Sequence, residues 1–205
     1  MYKCIIFDVD GTLIDTEEAV FKSYQRVIFE ELGEYASEAM LLSGYGIPTE
    51  KALEIYGLKN IEEAATKYYG YLIENLKEVK PFPGVGKILD AIRERGILTG
   101  IVTSRNKLEV EKDSNLQELK GYFNYVVCSE DTIKHKPEGE PLLKFLELSG
   151  ASAGNAIYIG DTCFDYMCAK NAGIPFALAL WGAKNTDGIE AEYLFERPED
   201  ILRIL

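Results

Sequence analysis

Two carboxylates close an apolar run: Asp8 and Asp10 in "CIIFDVDGT". Placing them two residues apart costs free energy, because desolvation and mutual repulsion both oppose their charge. The cost is tolerable where a cation neutralises one and a reaction uses the proton of the other. In extended chain both side chains lean to the same side. Gly11 follows at once, permitting a sharp turn or a close backbone approach.

Three further places carry groups suited to the same chemistry. Thr103 and Ser104 follow "LTGIV". A hydroxyl that opens a helix there can hold an anion with the local N–H groups, although an ordinary helix cap would use the same residue types. Lys136 lies in "TIKHKPEGEP", where Pro137 keeps it out of helical geometry. Its ammonium is a good phosphate partner, and Lys134 competes for the role. His135 reads as exposed or hydrogen-bonded rather than catalytic. Asp161 and Asp165 follow "AIYI" in "GDTCFD". A helix starting near Thr162 puts Asp165 about one turn after Asp161, and capping alone would also satisfy both acids. Taken together, the groups describe a phosphate site built around a cation. Mg²⁺ suits it, since that ion takes a few carboxylates and completes its shell with water and substrate phosphate.

The elements that must position these groups are legible as alternating patterns. Short apolar runs occur at Cys4–Phe7, Leu98–Val102, Tyr125–Cys128, Ala156–Ile159, Pro175–Leu180 and Tyr193–Phe195. Runs of this length without polar alternation fit strands covered on both faces. Helical stretches lie between them at Val85–Arg95, Leu108–Leu119, Leu142–Leu148 and Asp165–Asn171. The alternation implies an α/β fold with a doubly wound parallel sheet, in which ligands bind outside the carboxyl ends of the strands. From Thr16 to about Lys80 no strand is convincing, and "EEAVFKSYQRVIFEEL", "TEKALEIYG" and "IEEAATKYYGYLIENLKEV" read as helices. The interval ends at "KPFPGV", rich in turn formers. The expected organisation is a core of residues 1–15 and 82–205, with a small helical domain of residues 16–81 inserted.

Composition narrows the function. With 205 residues and 47% hydrophobic content the chain can bury a real core. A net charge of −12 disfavours a broad nucleic-acid footprint. It also requires an anionic substrate to be attracted locally. No apolar run approaches the about 18 residues of a membrane span, and "YKCIIF" is too short for a signal peptide. A cytoplasmic protein is expected, with no membrane partner. The four cysteines and one histidine form no zinc pattern. The thiols are expected to be reduced, with Cys4 and Cys128 in the core.

As a set and in order, these residues resemble the four motifs of the haloacid dehalogenase superfamily: "FDVDGTLID", "GIVTSR", "KPEGEP" and "GDTCFD". The resemblance implies a Rossmann-like core with a cap domain, a role the helical insert would fill, hinged at "PFPGV". It implies Asp8 as nucleophile and Asp10 as acid/base. Thr103, Ser104 and Lys136 would bind phosphate. Asp8, Asp10 (through its backbone carbonyl), Asp161 and Asp165 would serve a Mg²⁺ ion, Asp165 as ligand or as support for one. The dehalogenase branch lacks the second aspartate, which is present here. The β-phosphoglucomutase branch differs at Thr12 and carries Glu-Asp where Gly160–Asp161 stands. The chain is similar to phosphoglycolate-phosphatase-like members, although Gly139 replaces the second proline usual in the third motif. The implied activity is hydrolysis of a small phosphorylated metabolite through an aspartyl phosphate, by a monomer or weak homodimer. A phosphosugar mutase and a non-catalytic binder of phosphorylated ligands are the alternatives. Substrate choice is expected to lie in the insert, where "SGYGIPTEK" could be a reader or a plain connection. Lys51, Arg26 and Trp181–Gly182 are further candidates.

Overall fold

The apolar runs do form one parallel sheet. In the computed structural model, which describes residues 2–205, six strands lie in the order β3-β2-β1-β4-β5-β6. They are β1 (Cys4–Phe7), β2 (Leu98–Val102), β3 (Tyr125–Val127), β4 (Ala156–Gly160), β5 (Phe176–Ala179) and β6 (Tyr193–Phe195). All pairings are parallel. The inner strands β1, β4 and β5 are buried at every residue. The edge strands expose Val126 and Leu194, so full burial holds for the centre of the sheet and not for its margins.

Helices cover both faces. α5 (Val85–Glu94), α7 (Ser114–Leu119) and the 3₁₀ segment Pro198–Ile204 pack with Ile5, Phe7, Ile157 and Ile159. On the opposite face, α8 (Glu140–Ser149) and α9 (Cys163–Ala172) pack with Cys4, Ile6 and Tyr158. The alternation along β1, Ile5 and Phe7 to one side and Cys4 and Ile6 to the other, is the strand period of two. Its neighbours are β2 and β4, so the chain leaves β1 for one half of the sheet and later fills the other. That reversal is where a crevice opens at the carboxyl ends of the strands. The register places Phe7 beside both Ile101 and Ile159. Asp8, Thr103 and Asp161, each just past its strand, are therefore brought to the same crevice.

The interval between β1 and α5 folds on itself. α1 (Glu17–Leu32), α2 (Glu38–Ser43), α3 (Thr49–Ile55) and α4 (Ile61–Asn75) enclose their own cluster, with Tyr24, Val27, Leu53, Tyr56 and Leu72 buried. α2 lies in a stretch the sequence left unassigned, and Ser37 caps it by accepting from the Met40 N–H. Two chain segments join this unit to the sheet, and they run side by side. Ile14 bridges Pro81, the Asp15 N–H donates to Lys80 O, and the Phe82 N–H donates to Leu13 O.

One expected helix is two. Over 108–119 the apolar spacing reads as continuous, yet α6 (Lys107–Lys112) stops and α7 starts at Asp113. Asp113 is extended, and its Oδ1 accepts from the N–H groups of Asn115 and Leu116. Its Oδ2 accepts from Arg105. A buried carboxylate that serves an ion pair and a helix start at once outweighs continued helix. Nor do Thr103 and Ser104 open a helix. Four residues of loop follow β2, and α6 is capped instead by Asn106, in a reciprocal capping box with Glu109.

Candidate active site

Beyond β1 the chain coils tightly: the N–H groups of Thr12, Leu13 and Ile14 all point at Val9 O. Gly11 sits at φ 72°, the left-handed region. A Cβ built there would lie 2.1 Å from Asp161 Oδ2. Both facts require glycine, and they let the Asp161 carboxylate lie against the turn. Thr12 Oγ1 donates to Asp161 Oδ1 at 3.0 Å.

The two aspartates after β1 part company. Asp8 Oδ1 accepts from Lys136 Nζ at 2.7 Å, and the same ammonium donates to Asp165 Oδ1 at 2.6 Å. Lys136 is 5% exposed, so these are ion pairs out of water. Lys134 is exposed, which resolves the competition between the two lysines. His135, half-buried, takes no part. Asp165 accepts further from the Tyr158 hydroxyl, from the Thr162 N–H and from Thr162 Oγ1. The helix starts where the sequence places it, near Thr162, but the cap is Thr162 in a capping box with Asp165 rather than an aspartate. Asp8, Asp161 and Asp165 thus form a buried cluster whose carboxylate oxygens lie within 4.8 Å of one another.

Burial, against the pull of Lys136, leaves Asp8 at about 7. Burial and the neighbouring Asp165 and Asp8 push Asp161 well above the usual carboxylate range. One ammonium among three buried carboxylates is too little charge. A cluster of hard oxygen donors with a surplus of negative charge fits a divalent cation such as Mg²⁺.

Asp10 turns to a cation that the sequence reading did not single out. Arg105, 4% exposed, donates from Nε to Asp10 Oδ2 at 2.9 Å and from Nη2 to Oδ1 at 2.7 Å. Nη1 donates to Asp113 Oδ2 at 2.7 Å. Thr16 Oγ1 also donates to Asp10 Oδ1. Burial alone would raise Asp10, but Arg105 outweighs it and holds the carboxyl below its usual range. Arg105 stands in the quoted motif "GIVTSR", yet only the position of its partners shows its use.

Thr103 is buried, and its Oγ1 accepts from the Arg105 N–H at 3.2 Å, leaving the hydroxyl proton free for a ligand. Ser104 is spent differently: Oγ donates to Gly46 O at 2.8 Å, tying the loop after β2 to the "SGYGIP" loop of the helical unit. That loop lies over the crevice. Tyr45 is buried, and burial together with Asp161 and Asp10 raises its phenol well above normal. Lys51 pairs with Glu54, and Arg26 stacks on Tyr71; both are more than half exposed. Neither lines the cavity beneath the loop.

Trp181 Nε1 donates to Thr12 O at 3.0 Å. Next to it, a Cβ on Gly182 would sit 1.7 Å from Gly11 O. Gly182→Ala must therefore push the first loop, and overpacking of this kind costs about 1–3 kcal/mol. A melting temperature lower by roughly 2–10 °C is expected in thermal denaturation. No change would show that the two loops are not held at this spacing.

The family model for haloacid dehalogenase-like hydrolases matches residues 5–179. A pyrophosphatase PpaX from Bacillus velezensis is 30% identical over 98% of this chain and 94% of its own. A phosphoglycolate phosphatase from Aquifex aeolicus is 29% identical over 99% of this chain and 96% of its own. Among solved structures, a Lactobacillus plantarum protein superposes with a TM-score of 0.91 at 26% identity, covering all of both chains.

Proposed function

The chain belongs to the haloacid dehalogenase-like hydrolase family and is a phosphoric monoester hydrolase of that type; from this we propose that it cleaves a small phosphate monoester through an aspartyl phosphate, with Mg²⁺ as cofactor. The observation that carries the reading is the buried Asp8, paired with Lys136 and clustered with Asp161 and Asp165 at the carboxyl ends of two adjacent strands.

Asp8 attacks phosphorus in line, forming the Oδ–P bond as the bond to the ester oxygen breaks. Lys136 and the Thr103 hydroxyl hold the phosphoryl oxygens. Asp10 gives a proton to the departing oxygen and later takes one from the water that hydrolyses the intermediate. Asp10 meets only donors, so its carboxyl must turn from Arg105 before it can give a proton to the ester oxygen. Ser104 holds the loop above the site rather than the phosphate. Asp8, Asp161 and the Asp10 carbonyl would bind Mg²⁺, with Asp165 orienting Lys136 and Thr162 around them. When bound, the ion would offset the charge on the carboxylates and phosphoryl oxygens.

Residues 16–81 act in this reading as a cap over the crevice, hinged at the paired segments around Ile14 and Pro81. Its separate apolar cluster supports that division. Among the described residues no helix is long and apolar enough to cross a membrane. The cysteines are free, which supports a cytosolic site of action.

The test is phosphate release from p-nitrophenyl phosphate and from a panel of small esters. Release is expected to stop after rigorous chelation and to return with Mg²⁺. Full activity after metal removal would overturn the metal-dependent mechanism.

A further inference from the structure

Glu109 is a buried carboxylate that the mechanism above does not use. It is the third residue of α6 and is 4% exposed. Oε2 accepts from the Asn106 N–H at 2.8 Å, and among the described residues no other hydrogen bond reaches the carboxylate. Arg105, the cation that acts on it most, gives its hydrogen bonds to Asp10 and Asp113 instead. Glu109 therefore sits out of water with no cation bonded to it.

Its burial is made by the helical unit. Glu109 lines the cavity beneath the Gly44–Pro48 loop from the core side, and Tyr24, Thr49 and Tyr68 line it from the unit. α4 packs on α6 beside it. The cavity holds about 40 Å³, room for roughly three water molecules. Two ties away from the hinge keep it shut: Ser104 Oγ to Gly46 O, and Lys184 to Glu17 at 2.8 Å. A carboxylate in such a place is costly to keep charged and takes up a proton instead. Burial raises Glu109 to about 7 against the pull of Arg105, and Asp10 and Glu50 add to the rise. Glu50 of α3 acts from the unit, with Tyr24 of α1 and Tyr68 and Tyr69 of α4; burial raises all three phenols, which stay neutral. On α6 itself Lys107, Glu111 and Lys112 are exposed, and Lys107 pairs with Asp131. Asp10 and Arg105 both belong to the core and stay paired when the unit lifts. Lifting takes Glu50 and the tyrosines away and admits water to Glu109.

We propose that Glu109 couples the cap to pH: it holds a proton beneath the closed cap and releases it to water as the cap lifts. This rests on the reading of residues 16–81 as a cap. The bond that breaks is the carboxyl O–H, and the proton goes to solvent. The proton's contribution to closure is complete below the ordinary carboxylate range and is lost as pH rises through about 7. Opening, which must precede product release, becomes easier over the same interval.

A thiol placed in the cavity measures the opening. Val20 is buried on α1 and lines the cavity. Val20→Cys is made together with Cys163→Ser, which removes the one exposed thiol among the described residues. The full chain is alkylated with iodoacetamide in saturating Mg²⁺ at pH 5.5 to 8, with and without Glu109→Gln, and each cysteine is followed by mass spectrometry. Glutamine keeps an acceptor for the Asn106 N–H and has no proton to release. The thiol's own ionisation cancels in the ratio of the parent's labelling rate to that of the Glu109→Gln variant. One linked proton should raise this ratio by about tenfold or more between pH 5.5 and 8, levelling above 7. A merely structural Glu109 would shift the ratio by the same factor at every pH. A ratio that is flat or falls with pH would overturn the proposal. Cys168, fully buried in the core, is the internal control for unfolding. It should label far more slowly than the thiol at position 20 in each variant. Equal rates would mean that the cavity opens only when the whole chain unfolds, and the cap reading would fall together with the proposal.

Discussion

Asp8→Asn is expected to abolish the covalent intermediate and lower turnover by on the order of 10⁴-fold or more, as loss of a nucleophile does. The amide is a poor nucleophile of nearly the same shape. Lys136 keeps Asp165 as its partner in this variant, so the site should stay assembled. Asp10→Asn should behave differently. Asp8 can still attack, and a phosphate ester with a good leaving group should still label the protein. Hydrolysis of the intermediate should slow by about 10²–10⁴-fold, the usual contribution of a general base. Acid quenching after incubation with a ³²P-labelled ester separates the two. Asp8→Asn should carry no label, and Asp10→Asn should carry more than wild type at steady state. Wild-type labelling of Asp8→Asn would mean that another residue is the nucleophile.

Removing divalent metal should make the protein's stability fall as pH rises from 5 to 8. Asp8 and Glu109 are each raised to about 7, chiefly by burial, and burial and neighbouring carboxylates raise Asp161. Each binds its proton more tightly folded than unfolded. The contribution of each to stability is therefore complete below the ordinary carboxylate range, and for Asp8 and Glu109 it is lost as pH rises through about 7. Asp10 and Asp131 are shifted down. Their contribution is present above the ordinary range and is lost only as pH falls below it, outside this window. In chelator, the melting temperature should be clearly lower at pH 8 than at pH 5. Mg²⁺ should oppose the loss by binding the native state, with about 2.7 kcal/mol gained at a hundredfold excess over Kd. Asp161→Asn should be more stable than wild type at pH 8 in chelator and should lose most of its response to Mg²⁺. Glu109→Gln, which keeps an acceptor for the Asn106 N–H, should flatten part of the pH dependence and leave the metal response intact. Chelated wild type as stable at pH 8 as at pH 5 would refute the crowding of Asp8, Asp161 and Glu109.

The strands, their parallel direction and the carboxyl-end location of the site could be read from the chain because they depend on local pattern. "CIIF", "LTGIV" and "AIYI" bury as apolar runs whatever surrounds them, and "DTCFD" caps a helix through residues three apart. The helical insert was legible for the same reason, apart from α2, whose six residues carry too little periodicity to stand out. Which carboxylate meets which cation was decided only by the tertiary structure. Asp8 and Asp10 look alike in sequence. One meets Lys136 across 128 positions and the other meets Arg105 across 95. Arg105 follows Thr103 and Ser104 in a loop and shows no pattern that marks it for burial. Its place depends on Asp113, which in turn breaks a helix that the apolar spacing would have continued. Ser104 reads as a phosphate ligand by position and is instead bonded to Gly46 in the helical unit. Trp181–Gly182 reads as a candidate for the mouth of the site, and only the fold shows Gly182 packed against Gly11. Hydrophobic periodicity is a property of neighbouring residues. The pairing of buried charges and the close approach of loops belong to distances between elements, which no short stretch of chain contains.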